Sequence, residues 1–189
     1  MESTPTEHEK TSRPPSLTSR FFADTANKQE LSGDVGGWRV REATEADVPA
    51  IAAAVGELLV ELSGGGPATS ELEAASAELV RDRGMGALLV AEAGGEDGIV
   101  GVLAASWQHA VHVPGRYGTI QDLWVHPEWR SRAVGHELIE AYCEIARSEG
   151  AKRIEVGLPR EDFERIGATT AFYRANGFEH LGPRMRRKL

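Results

Sequence analysis

The run from Tyr117 to Gly150, YGTIQDLWVHPEWRSRAVGHELIEAYCEIARSEG, leaves the chain few choices of fold. Thr119 to Val125 is rich in aromatic and β-branched residues and is closed by His126-Pro127, which reads as a strand. Val134, Leu138, Ala141, Tyr142 and Ile145 then recur at helical spacing, and Glu137, Glu140 and Glu144 fall on the opposite side. Gly150 supplies a helix stop. Between strand and helix lies Arg130-Ser131-Arg132-Ala133-Val134-Gly135, two cations and two small residues where a helix begins. The first N–H groups of a helix lack internal partners, and its dipole favours negative charge there. Small residues let a phosphate approach those amides, and arginines add charge-assisted bonds. The hexapeptide is therefore a candidate diphosphate cradle, although a junction of this kind is more commonly an ordinary solvated turn.

Around this run the order is regular. Trp38-Arg39-Val40-Arg41 alternates as a strand. Thr44 and Asp47 resemble a capping box ahead of the stripe Ile51, Val55, Leu58, Leu59 and Leu62, which predicts a first helix. Gly64-Gly65-Gly66-Pro67 breaks it, and Ser70 with Glu73 suggests the cap of a second helix running to Gly84. Strands are expected at 87–93 and 99–108, joined antiparallel through the glycine-rich turn 94–98. A looser turn is expected over 109–118. After the cradle helix come a short strand over 153–157, a polar connection over 159–167 and a helix over 168–176 ending at Asn176-Gly177. The tail from Phe178 to Leu189 is expected to return as one or two short strands. Residues 1–36, rich in Ser, Thr, Pro and charge, read as a disordered tail ahead of one domain over 37–189; 17–31, with Phe21-Phe22, is the one stretch there with helical potential.

Composition excludes some partners. The formal net charge of −8 argues against nucleic acid and anionic membrane, and weakly suits a cationic substrate. No stretch approaches the roughly 18 apolar residues of a membrane span, and no signal-peptide block is seen, so a soluble cytoplasmic protein is expected. The single cysteine, Cys143, excludes an internal disulfide and reads as packing.

The run Leu123-x-Val125-x-Pro127-x-x-Arg130-x-x-Ala133-x-Gly135 resembles the acyl-CoA-binding signature of the GNAT acetyltransferase superfamily: Arg or Gln, two residues, Gly, one residue, then Gly or Ala. The later run Ala171-Phe172-Tyr173-Arg174-Ala175-Asn176-Gly177-Phe178 resembles that family's Phe-Tyr followed by Gly-Phe. The similarity covers roughly Trp38 to Leu189. It implies an α/β (α+β) fold with a mixed, mostly antiparallel central sheet flanked by about four helices. Acetyl-CoA is the implied cosubstrate, with no metal. Its diphosphate would lie on the amides of Ser131, Ala133, Val134, Gly135 and His136, supported by Arg130 and Arg132. Its pantetheine arm would pair with the backbone of Leu123, Trp124 and Val125, where the family's central strand splays from its neighbour. Ala133 departs from the family pattern, standing where the first glycine usually falls, and its methyl restricts positive φ and close approach.

The implied chemistry is direct transfer of an acetyl group to a primary amine, on a small molecule by preference or on a protein. The alternative is a non-catalytic acyl-CoA-binding sensor on the same fold. Tyr173 is the expected acid, because a phenol with pKa near 10 can meet a departing thiolate whose thiol titrates at about 8.5. Glu155 is the first candidate for the base and Asp122 the second; Thr119 and Gln121 have the family's site-facing positions but little basicity. His109 and His112 have suitable pKa values and a spacing that invites a metal reading, though no third ligand accompanies them. Glu57 and Glu61, near the glycine loop, are candidates to attract an ammonium or else a solvated helix face. The basic run Arg184 to Lys188 reads as an exposed end. Homodimers are common in the family.

Overall fold

The structure, a computed structural model, describes residues 37–95, 97–182, 184, 185 and 187. The expected tail over 1–36 and its candidate helix therefore lie outside the described residues. The chain runs β1 (Trp38–Glu42), a 3-10 turn (Glu45–Asp47), α1 (Val48–Ser63), α2 (Thr69–Arg81), β2 (Gly86–Ala93), β3 (Ile99–Ala110), β4 (Val113–Val125), a second 3-10 turn (Pro127–Trp129), α3 (Val134–Ser148), β5 (Ile154–Val156) and α4 (Ile166–Ala175). One five-stranded sheet in the order β1-β2-β3-β4-β5 results, antiparallel except for the parallel β4–β5 pair. A β4–α3–β5 crossover accounts for that parallel step.

Alternation along the strands sends apolar side chains to both faces. Leu88, Val90, Val102 and Trp124 meet Ile51 and Val55 of α1, while Leu89, Leu103 and Ile120 meet Leu138, Ile139 and Tyr142 of α3. Tyr173 of α4 joins the second cluster. The sheet is thus the middle of three layers, both of its faces are dry, and the strands read as apolar runs. Close approach of α3 depends on Gly118: a Cβ there would lie 2.0 Å from the Tyr142 hydroxyl.

The start of α1 is fixed electrostatically. Asp47 accepts from the Thr44 amide (2.7 Å) and from both terminal nitrogens of Arg41 (2.7 and 2.8 Å), and Arg41 Nε also donates to Glu92 of β2 at 3.0 Å. The Arg41 hydrogen bond is the largest influence on Asp47 and holds its carboxyl down at about 2.

Three expectations need correction. The second helix begins at Thr69, because the Glu71 carboxylate reaches back to the Ala68 amide at 2.9 Å and caps the helix two residues ahead of the Ser70–Glu73 pair. The looser turn over 109–118 is mostly strand: β3 reaches Ala110, β4 starts at Val113, and only Val111 and His112 turn. Pro114 and Gly115 are tolerated in a strand there because that end of β4 pairs with β3 alone, β5 joining only from Gly118. From Phe178 onward the described residues form no strand; Phe178 instead packs edge-on against Tyr173 at 5.4 Å. Among the described residues no helix is long and apolar enough to cross a membrane.

Candidate acyl-transfer site

β5 pairs with β4 over three positions only, Gly118↔Ile154, Thr119↔Glu155 and Ile120↔Val156. β4 continues for five more residues with no strand on that side among the described residues. At this point β4 also bulges. Ala105 pairs with Ile120 but Ala104 with Asp122, so Gln121 is the extra residue. The bulge reverses which backbone groups face which neighbour. Gly118 donates to Arg153 of the β5 side (3.0 Å), whereas His126 donates to Val100 of β3 (2.9 Å). Counting back in twos from His126, Trp124 and Asp122 turn their backbone groups toward β3, and Leu123 and Val125 turn theirs into the gap. The sheet therefore opens along the stretch for which Leu123, Trp124 and Val125 were singled out. Arg130 Nε donates to the Val125 carbonyl at 3.0 Å and occupies part of that edge.

The cradle lies at the end of the gap. Ser131 and Ala133 both adopt left-handed backbone, with φ of 62° and 65°. Ala133 is the N-cap of α3, and its carbonyl receives the first helical bond, from Glu137 at 3.0 Å. The amides of Val134, Gly135 and His136 precede that bond and have no acceptor within the helix. Gly135 is needed for packing, since a Cβ would stand 3.1 Å from Cζ of Phe172 on α4. His136 Nδ1 lies 2.7 Å from Asn176 Oδ1, a second tie between α3 and the end of α4. First-turn amides without helical acceptors, a positive helix end and two left-handed residues give this helix start features that can receive an anion.

The two arginines differ. Arg132 is exposed and lies over the Trp129 ring at 5.1 Å. Arg130 donates through both terminal nitrogens to Glu61 of α1 (3.3 and 2.7 Å), and Arg165 donates to the same carboxylate at 3.1 Å. Arg130 is the main reason the Glu61 carboxyl titrates below its usual range. Glu61 is thus a clasp between the end of α1, the cradle and the approach to α4. Beside it lies a groove of about 390 Å³, lined by Gly64, Arg160 and Phe163 among others.

Tyr173 is buried with its ring edge-on to Phe172 at 5.2 Å. Burial, and secondarily the charge of Asp122, pushes its phenol up to about 12. Glu155 sits opposite Thr119 on β5, ion-paired with Arg153 at 2.6 Å. Arg153 also covers the Tyr117 ring and lies 3.4 Å from His112 Nε2. An arginine there leaves His112 poorly placed for a cation, and among the described residues no group of three His, Cys, Asp or Glu side chains converges. Cys143 is half-buried among core side chains, its thiol pushed up chiefly by burial.

Two polar residues were not anticipated. Ser106 and Gln108 follow an apolar run in β3, and the Ser106 hydroxyl accepts from Gln121 (2.8 Å) and Gln108 (2.9 Å). Their signal was the switch from apolar to polar every second residue at the end of β3. The carboxylate of Asp122 is partly buried and pushed up by desolvation.

The sequence profile of the Acetyltransferase (GNAT) family matches residues 55–178. Among solved structures, an acetyltransferase of Trypanosoma brucei is 27% identical, with a TM-score of 0.60 over 80% of this chain and 99% of its own. An aminoglycoside acetyltransferase from an uncultured soil metagenomic sample, in complex with sisomicin, is 18% identical with a TM-score of 0.63 over 81% and 97%. Glucosamine-6-phosphate N-acetyltransferase of Arabidopsis thaliana is 16% identical with a TM-score of 0.64 over 80% and 97%. No curated protein sequence matches the chain. With two thirds of its length matched by the family profile, the chain belongs to the GNAT acetyltransferase family.

Proposed function

We propose that this protein transfers acetyl from acetyl-CoA to a primary amine by direct attack, a small-molecule amine being the favoured acceptor. The observation that carries the proposal is a juxtaposition: among the described residues the edge of β4 beyond Ile120 has no strand beside it and leads toward the first-turn amides of α3, and Tyr173 of α4 is buried in the core cluster that holds Ile120. Acetyl-CoA supplies an activated thioester. The chain's own groups do the rest. Amides of residues 133–136 hold the diphosphate, with Ser131 and Arg132 beside them, and backbone groups of Leu123 and Val125 align the arm. Tyr173 protonates the departing sulfur, and a carboxylate in the cleft, Glu155 or Asp122, receives the amine's proton. The net charge of −8 and the sisomicin-bound relative support a cationic small molecule over a protein amine.

The pairing of Arg130 with Glu61 favours a second reading, a binding module whose cradle has lost one phosphate ligand. Measuring CoA thiol release across aminoglycosides, polyamines and basic peptides separates the two. Turnover with one acceptor class, falling about 100-fold or more in Tyr173→Phe with acetyl-CoA affinity kept within about twofold, supports the enzyme. Acetyl-CoA binding with no turnover across the whole panel refutes it in favour of the binding module.

A further inference from the structure

Resting on the acetyltransferase reading, we infer that Ser106, Gln108 and Gln121 form a hydroxyl-binding floor beside the sheet opening. The acceptor is then an amine that carries neighbouring hydroxyl groups, as an amino sugar does, and these three side chains determine that preference.

Strand alternation places the floor. In β3, Leu103, Ala105 and Trp107 belong to the cluster under α3, whereas Val102 and Ala104 belong to the cluster under α1. Ser106 and Gln108 therefore point to the α1 face. On β4 the bulge turns two consecutive residues the same way: Gln121 reaches Ser106, and Asp122 pairs with Ala104. The opposite face is filled at the opening, because Ile120, Leu123 and Val125 pack in the α3 cluster. On the α1 face the apolar cluster ends at Ala104 and Trp124, and past it the side chains turn polar. Gln121 is exposed, and Ser106 and Gln108 are half-buried. A ligand that approaches the end of the β4–β5 pairing on this face meets them.

What the floor binds follows from its donors and acceptors. Ser106 Oγ accepts from Nε2 of Gln121 at 2.8 Å and from Nε2 of Gln108 at 2.9 Å. Each amide keeps a second N–H and a carbonyl oxygen, and the serine keeps its own proton to donate. Turning either amide over exchanges one donor for one acceptor, and the cluster still offers both kinds. A phosphate or carboxylate only accepts, and an ammonium only donates. A hydroxyl does both, so it completes a neutral mixed cluster of this kind. An extended peptide laid on a sheet face presents its side chains, because its backbone groups point sideways. Ring hydroxyls suffer no such obstruction. Because three polar ends meet around one oxygen, the hydroxyls they serve must be neighbours on the ligand. Asp122, beside Gln121, and Glu155, across Thr119 from Ser106, border the floor on the same face. The amine end thus has negative charge nearby while the hydroxyls lie over the neutral part.

The test measures kcat/KM of the full chain with acetyl-CoA and paired acceptors: glucosamine against cyclohexylamine, sisomicin against spermidine, and a lysine peptide. Variants are Ser106→Ala and Gln121→Met, with Ser106→Thr to keep the hydroxyl. The readout is the ratio of the hydroxylated acceptor to its hydroxyl-free counterpart, and intrinsic amine reactivity cancels in the change of that ratio. It should fall about tenfold in Ser106→Ala and in Gln121→Met, and less than about twofold in Ser106→Thr. A ratio that does not move, or equal losses for both members of a pair, overturns the inference. So does a wild type that turns over only spermidine, cyclohexylamine or the peptide, and the acetyltransferase reading survives each of these results. A wild type that binds acetyl-CoA but acetylates no probe sinks that reading, and the inference with it.

Discussion

Replacing Ala133 by glycine separates the cost of building the cradle from the cost of using it. Ala133 holds φ 65° and ψ −2°. Left-handed backbone costs an L-residue about 1–2 kcal/mol, and glycine gives back about 0.5–1 kcal/mol through its larger unfolded-state entropy. The net gain for Ala133→Gly is then about 0.5–1 kcal/mol, which in a domain of this size lifts the melting temperature by about 1–3 °C. Affinity behaves differently. As a fixed part of the fold the turn would carry the same strain in the free and the bound protein, which then cancels, and the acetyl-CoA dissociation constant should move by less than about twofold. Thermal unfolding followed by circular dichroism, together with calorimetric titration of acetyl-CoA, reads both numbers. Ala133→Val, with a β-branched side chain at the same left-handed position, should lower the melting temperature and calibrate the scale. A glycine variant that is no more stable but binds acetyl-CoA tenfold tighter would refute the reasoning, because the turn would then form only on binding.

Other substitutions test the remaining parts. Asp47, held at about 2 against 3.8 when free, adds stability that is complete above pH 4 and is lost as pH falls through about 2. After discounting for solvent this is about 1–2 kcal/mol, and acid unfolding of Asp47→Asn should lack that component. Tyr142 has a buried hydroxyl with no hydrogen-bond partner among the described residues, so Tyr142→Phe should be neutral or stabilising by about 1 kcal/mol in denaturant titration, whereas Tyr173→Phe should act on turnover. Gly118→Ala drives a methyl into the Tyr142 hydroxyl and should destabilise by about 1–3 kcal/mol; a double variant with Tyr142→Phe should recover part of that loss.

The legible parts of the sequence were those governed by neighbours. Thr119 to Val125 and the Val134–Ile145 stripe announced β4 and α3 because periodicity is local, and Phe-Tyr…Gly-Phe placed α4 to within two residues at its start. Pro114 and Gly115 misled because they are loop signals that a one-sided strand end tolerates. The clasp at Glu61 was invisible because its partner Arg130 is 69 residues away. Ala133 was a departure in the motif, and its left-handed geometry shows that the methyl did not prevent the turn.

The three-pair contact between β4 and β5 also has a kinetic meaning. β1 to β4 pair antiparallel with one another in chain order, whereas β5 joins β4 in parallel, by a crossover through α3, over three positions. Long-range parallel pairing closes a loop before it gains contacts, so this segment is the last to dock and the first to detach. The sheet opening thus leaves Tyr173, on the helix that follows β5, on the unit expected to be least protected. Amides of β5 and α4 should exchange with deuterium sooner than those of β2 and β3, and filling the gap should slow the C-terminal amides most.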